Sequence, residues 1–142
     1  MGDLSPHFCR KEFACHCCGG LPLYWVEGEI PPLVAALEQL RALAGQPVVV
    51  VSGYRCRKHN AEVGGEKNSQ HLLGKAADIH IPGKSLREVY KLACKVRAFK
   101  NGGIGVYPNQ GFVHVDVRQG QARWGQLHGR YVAIEEALEA LP

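Results

Sequence analysis

The sequence predicts an α+β fold, a small antiparallel-rich sheet with helices packed on one face. Strand signals come first: the unbroken run Val48-Val49-Val50-Val51, and the alternating run Gly111-Phe112-Val113-His114-Val115-Asp116-Val117. Two further stretches, 33–44 and 85–99, repeat apolar residues at helical spacing. Finally, 142 residues fit one domain with its own core. No internal repeat, low-complexity tract or composition shift divides the chain, so 1–142 reads as a single domain.

In order, residues 1–30 read as an irregular, cysteine-rich leading segment, because Pro6, Pro22 and the Gly19-Gly20 pair break any period. Ser5 followed by Pro6 predicts a cap on a short helical turn over His7–Phe13. Pro31-Pro32 opens a helix in which Leu33, Leu37, Leu40 and Leu43, with Val34, Ala36 and Ala44, form one stripe, and Gly45 stops it. The four valines within 46–52 predict a buried strand that delivers Ser52-Gly53-Tyr54-Arg55 at its end. Residues 56–70, rich in Asn, Lys and Gly, predict a short helix and a loop. Ala76–Ile81 is the next strand, ended by Pro82-Gly83. Ser85 caps a second helix running through Phe99, with Leu86, Val89, Tyr90, Ala93 and Val96 inward, and Asn101-Gly102-Gly103 ends it. Ile104–Tyr107 and Phe112–Val117 form an antiparallel pair across Pro108-Asn109-Gln110-Gly111. A short strand over 121–125 carries Trp124, and Val132–Leu141 is the final helix.

Composition narrows the function classes. Apolar residues make up 46% and charged residues 21%, ordinary values for a globular chain. The net charge of +4 is spread along the sequence, so no nucleic-acid partner is expected. No apolar run approaches the roughly 20 residues that cross a bilayer, so no membrane partner is expected either. Residues 1–7 show no apolar core of a secretory signal. The expectation is a monomer in the cytoplasm, or one released or exported by a route the sequence does not encode.

The chemistry concentrates in Ser69-Gln70-His71-Leu72-Leu73-Gly74-Lys75-Ala76-Ala77-Asp78, of the form S-x-H-x-x-G-x-A-x-D. An imidazole and a carboxylate are good ligands for a transition metal, zinc above all. Seven positions separate His71 from Asp78, too many for one helical face, and Gly74 suggests the turn that brings them together. His114 is the candidate third ligand, because an inward imidazole among Phe112, Val113 and Val115 needs a partner. Asp116 shares its strand face. Two nitrogens, one carboxylate oxygen and a water would make an open catalytic zinc site.

Ser52-Gly53-Tyr54-Arg55, Asn60, the Ser69–Asp78 segment and Phe112-Val113-His114-Val115-Asp116, in that order, resemble the zinc D-Ala-D-Ala carboxypeptidases and related peptidoglycan peptidases. That family shares a fold with lysostaphin-type enzymes and the hedgehog domain, and the resemblance runs from about Phe8 to Trp124. It implies hydrolysis of peptidoglycan stem peptides through a metal-activated water, as a carboxypeptidase or as a cross-link endopeptidase. It further implies His71, Asp78 and His114 as the zinc ligands, and Arg55 as a catalytic or substrate-gripping cation that polarises the scissile carbonyl or pairs with a peptide carboxylate. Ser69 and Gln70 are expected to bind substrate, and Asn60 to line the site. Some relatives carry an acid three positions before the third ligand, where this chain has Gly111. Asp116 is therefore the expected proton carrier, its alternative being a carboxylate that orients a ligand. His80 reads more simply as a satisfied histidine than as an acid. The rival reading is a catalytically inactive, metal-bearing binding module of the same fold.

Cys9, Cys15, Cys17 and Cys18 crowd one short segment. A second, structural metal there is one reading, although the paired C-x-x-C knuckles of zinc ribbons are missing. Disulfides, perhaps with Cys56, and plain reduced thiols are the others, the last being the simplest.

Overall fold

The computed structural model describes residues 2–142. Six helices and six strands occur in the order α1 (Arg10–Phe13), α2 (Pro32–Ala44), β1 (Val49–Ser52), α3 (Arg57–Glu62), β2 (Ala76–His80), α4 (Leu86–Ala93), α5 (Arg97–Lys100), β3 (Gly103–Tyr107), β4 (Phe112–Asp116), β5 (Ala122–Leu127), β6 (Arg130–Val132) and α6 (Ile134–Glu139). A 3-10 turn, Gln70–Leu73, precedes β2. The strands form one sheet in the order β1-β2-β4-β3-β5-β6, with β3 and β5 parallel and every other neighbour antiparallel. The predicted α+β class holds.

Alternation along the central strands separates core from site. Ala77 and Ile79 of β2, Val113 and Val115 of β4, and Ile104 and Val106 of β3 join one apolar cluster with Leu33 and Leu37 of α2, Val89 of α4 and Phe99 of α5. The opposite face carries Asp78, His114 and Asp116, all buried. α2 runs as its pattern predicts, from Pro32 to a left-handed Gly45 at φ 65°. Leu33, Val34, Ala36, Leu37 and Leu40 are buried, whereas Leu43 is half exposed, because the stripe leaves the core in the last turn.

Four local expectations change. Ser5 does not cap a helix; its hydroxyl donates to Glu38 of α2, and the α1 cap is Cys9, whose N–H is taken by Glu12. Among the described residues the valine strand is an edge strand with β2 as its only neighbour, so Val49 and Val51 are exposed while Val48 is buried. The helix from Ser85 ends at Ala93, and extended Val96, a conformation that suits a β-branched residue, starts α5. β6 was not anticipated. It pairs with β5 across His128-Gly129, both at positive φ (51° and 79°), the backbone of a tight hairpin.

Candidate metal centre

Register places the site residues. Across β2 and β4, Asp78 lies opposite His114; across β3 and β4, Gly105 faces His114 and Gly103 faces Asp116. A bulge in β1, between Val50 and Ser52, sets Ser52 opposite Asp78. His71 arrives from the 3-10 turn, which Ser69 caps by accepting the His71 N–H at 3.1 Å and which left-handed Gly74 closes. The S-x-H-x-x-G part of the motif is thus a capped turn that drops one imidazole onto the start of a strand.

His71, Asp78 and His114 bring one donor atom each within 4.8 Å of one another, all buried. Asp78 Oδ1 lies 3.3 Å from His71 Nε2 and 3.1 Å from His114 Nδ1. Each imidazole is fixed through its other nitrogen. His71 Nδ1 lies 2.6 Å from the Gly53 carbonyl, which can only accept, so Nδ1 carries the proton and Nε2 offers its lone pair. His114 Nε2 lies 2.8 Å from Asp116 Oδ2, which likewise places the proton on Nε2 and leaves the Nδ1 lone pair on the side of Asp78. Two oriented imidazoles and a carboxylate are the donor set of an open zinc site, so the residues fit that metal.

Electrostatics agree with the donor set. Burial pushes the Asp78 carboxyl up, but His71 and His114 outweigh it and hold the group well below the usual carboxylate range. Burial lowers His71, against the pull of Asp78, and keeps the ring neutral as a ligand must be. For His114 burial also acts downward, yet its bonds to Asp116 and Asp78 raise it overall.

Asp116 has a different setting from the one expected. It is fully buried and does not line the cleft over the centre. Its Oδ1 accepts from Gly103 N (2.8 Å), Arg118 N (3.1 Å) and Arg118 Nε (2.9 Å). Its Oδ2 takes His114 Nε2 and Arg118 Nη2, the latter at 2.7 Å. Burial raises this carboxyl, but His114 and Arg118 depress it more strongly. Arg118 was not singled out in the sequence; a basic residue two positions beyond a buried strand acid was its only signal. Gly103 makes room for the carboxylate, since a Cβ there would lie 2.3 Å from Oδ2.

Arg55 is anchored on three sides. Its Nη2 donates to Asp78 Oδ2 (3.1 Å), Nη1 to Asn60 Oδ1 (3.1 Å) and Nε to Ser52 Oγ (3.3 Å). Three of its five N–H donors are thereby used. Asn60 is buried and braces Arg55, with its amide donating to the Glu66 carbonyl, and does not line the cleft. Ser69 and Gln70 line it, and His80 does not.

The cleft encloses about 760 Å3. Trp124 and Tyr107 form part of its wall, with Trp124 Nε1 donating to Tyr107 Oη at 2.9 Å and the His114 ring 5.0 Å from the indole. Gly105 permits this packing, since a Cβ there would meet the indole at 2.6 Å. Arg118 lies over the same indole at 5.1 Å. Among the described residues lining the cleft, Glu66 is the only carboxylate besides Asp78.

The cysteines also regroup. Cys15, Cys18 and Cys56 bring their sulfurs within 4.8 Å of one another, whereas Cys9 sits apart at the α1 cap.

Comparison with known proteins agrees with this geometry. A family model described as Peptidase M15 matches residues 6–116. The chain is 41% identical over 93 residues to the peptidoglycan L,D-endopeptidase MepK of Escherichia coli (strain K12), covering 61% of this chain and 50% of that protein. The Shigella flexneri protein of the same name matches with the same figures. A probable peptidoglycan L,D-endopeptidase MepK of Haemophilus influenzae is 38% identical over 79 residues, covering 52% of this chain and 41% of its own length. The chain therefore spans about half the length of these relatives.

Proposed function

The chain belongs to the Peptidase M15 family, and from that premise we propose that it is a zinc-dependent peptidoglycan endopeptidase cleaving an L,D bond. The observation that carries the reading is the convergence of His71 Nε2, Asp78 Oδ1 and His114 Nδ1 beneath an open cleft. A zinc ion held by these three would polarise the scissile carbonyl and lower the pKa of the attacking water.

The residues around it divide the remaining work. Gly53 O and Asp116 hold the two imidazoles in the tautomers that face Asp78. Arg55 holds Asp78 through Oδ2, leaving Oδ1 to the centre, and its two spare N–H groups are available to a substrate carbonyl. Asp116 serves as the orienting carboxylate, because both oxygens are already filled by donors and neither reaches the cleft. Glu66, a carboxylate lining the cleft, is assigned to carry protons to and from the reacting atoms in preference to His16 and His59, which also line it. Ser69 and Gln70 meet the substrate backbone from the rim.

Endopeptidase action is favoured over removal of a terminal D-Ala by the state of the cations. Recognition of a terminal carboxylate calls for an unpaired cation in the cleft. Both arginines lining it are paired with carboxylates, Arg55 with Asp78 and Arg118 with Asp116. The names of the relatives point the same way. The rival reading, a metal-bearing binding module without turnover, draws on Gly111 standing where some relatives have an acid.

Digestion of purified cross-linked muropeptides, with products resolved by mass, tests the proposal. Cleavage within the cross-linking peptide, lost in His71→Ala, is the expected result. Release of a terminal alanine alone would reassign the protein to carboxypeptidase action. A metal-loaded protein that turns over neither substrate would favour the binding module.

A further inference from the structure

A second cluster lies in the N-terminal segment, and none of its members takes part in the chemistry above. Cys15-His16-Cys17-Cys18-Gly19-Gly20 forms a tight turn in which Gly19 N donates to Cys15 O at 2.8 Å and Cys15 N to Gly20 O at 2.9 Å. Gly19, at φ 71°, takes the left-handed conformation the turn requires. This is one C-x-x-C-G knuckle, and the third sulfur comes from Cys56, 41 residues beyond Cys15, where α3 begins. Each of the three sulfurs accepts a backbone N–H at 3.4 Å: Cys15 from Cys56, Cys18 from Gly20 and Cys56 from His59. Such N–H groups suit thiolate sulfur, because they stabilise negative charge where it accumulates.

We propose that Cys15, Cys18 and Cys56 hold a structural zinc ion. Tetrahedral zinc thiolates with Zn–S near 2.3 Å separate their sulfurs by about 3.8 Å. The three sulfurs, all within 4.8 Å of one another, reach that spacing by closing about 1 Å at most. A disulfide would use two of the three and leave the third beside it. Zinc uses them all, and its charge removes the repulsion of adjacent thiolates.

The ion would pin two parts of the chain that build the other centre. Cys56 directly follows Arg55, and Tyr54 N donates to Phe13 O at 2.8 Å. A Cβ on Gly53 would lie 2.7 Å from Phe13 Cα, so the leading segment rests directly against the backbone whose carbonyl orients His71. Holding Cys15 and Cys18 to Cys56 therefore steadies both the Gly53 carbonyl and Arg55.

The test separates this site from the histidine centre. The double variant His71→Ala/His114→Ala, purified under reducing conditions and shown folded by circular dichroism, should retain one zinc per chain. Its cobalt-substituted form should show the intense near-ultraviolet charge-transfer absorption of thiolate-bound cobalt. Adding Cys18→Ser, a substitution at an exposed position, should lower metal content at least tenfold, and Cys94→Ser should leave it unchanged. Should the Cys18→Ser protein fail to fold, the cobalt spectrum of the parent decides alone. A folded double variant without metal, a cobalt spectrum lacking the thiolate band, or an intact mass two hydrogens short would each overturn the assignment.

Discussion

Replacing Asp116 by Asn isolates what that carboxylate does. The substitution keeps the size of the group and removes its charge and half its accepting capacity. Both oxygens are filled, Oδ1 by Gly103 N and by Arg118, and Oδ2 by His114 Nε2 and by Arg118. An amide offers one acceptor oxygen, so its NH2 must face either His114 or the Gly103 N–H and Arg118. In the first case the His114 proton moves to Nδ1, the atom that faces Asp78, and the ligand lone pair is lost. In the second, donors oppose donors in a fully buried site. Loss of an orienting carboxylate typically weakens metal binding by about 10- to 100-fold, or about 1.4–2.8 kcal/mol. The metal-free protein should also lose about 2–3 kcal/mol of stability, because a buried charge-assisted bond is replaced by a mismatch. Zinc affinity by competition with a chromophoric chelator, and muropeptide turnover at saturating zinc, are the readouts. Weaker affinity is expected, with turnover recovering to within a few-fold once zinc is saturating. Unchanged affinity with turnover lost by about 100-fold or more at full occupancy would refute it and restore Asp116 as the base.

Other perturbations probe the surroundings. Glu66→Gln should lower kcat by about 100-fold with metal content unchanged, read by steady-state kinetics beside metal analysis; near-normal kcat would remove Glu66 from proton transfer. Gly105→Ala should drive the indole of Trp124 off Tyr107, weakening substrate binding while zinc stays bound, a change visible in tryptophan fluorescence and KM. Glu38 supplies a pH signature: burial pushes its carboxyl up, but the Ser5 hydroxyl and His7 hold it below the ordinary glutamate value overall. A depressed carboxyl stabilises the fold above its unfolded pKa and loses that contribution as pH falls through the folded value. Between about pH 6 and about pH 3 the wild type should therefore lose about 1 kcal/mol more than Glu38→Gln in urea unfolding. Equal losses would mean that the contacts to Ser5 and His7 contribute nothing.

Patterns that one segment carries by itself were legible in the sequence. The capped turn and following strand of 69–78, the proline-opened helix ended by Gly45, and the strand alternation that sets His114 beside Asp116 all rest on local chemistry. What escaped depends on distant neighbours. Four consecutive valines look the same at an edge as in the middle of a sheet, and only the strand order exposes Val49 and Val51. Asp116 read as a proton carrier or as an orienting carboxylate, because nothing local shows that Arg118 folds back onto it. Asn60 looked like a lining residue because its partner, the Arg55 guanidinium, reaches it only in the folded loop. Cys56 was open as a partner of the leading cysteines, but that it meets Cys15 and Cys18, across 41 and 38 residues, is a closure that spacing alone does not reveal.

The most direct measurement is digestion of cross-linked muropeptides by zinc-loaded wild type and by His114→Ala at equal zinc, products read by mass spectrometry. The expected result is cleavage inside the cross-linking peptide by the wild type, and a loss of at least about 1,000-fold in the variant, as befits removal of a metal ligand. Cleavage that persists in His114→Ala would contradict a catalytic centre built from His71, Asp78 and His114.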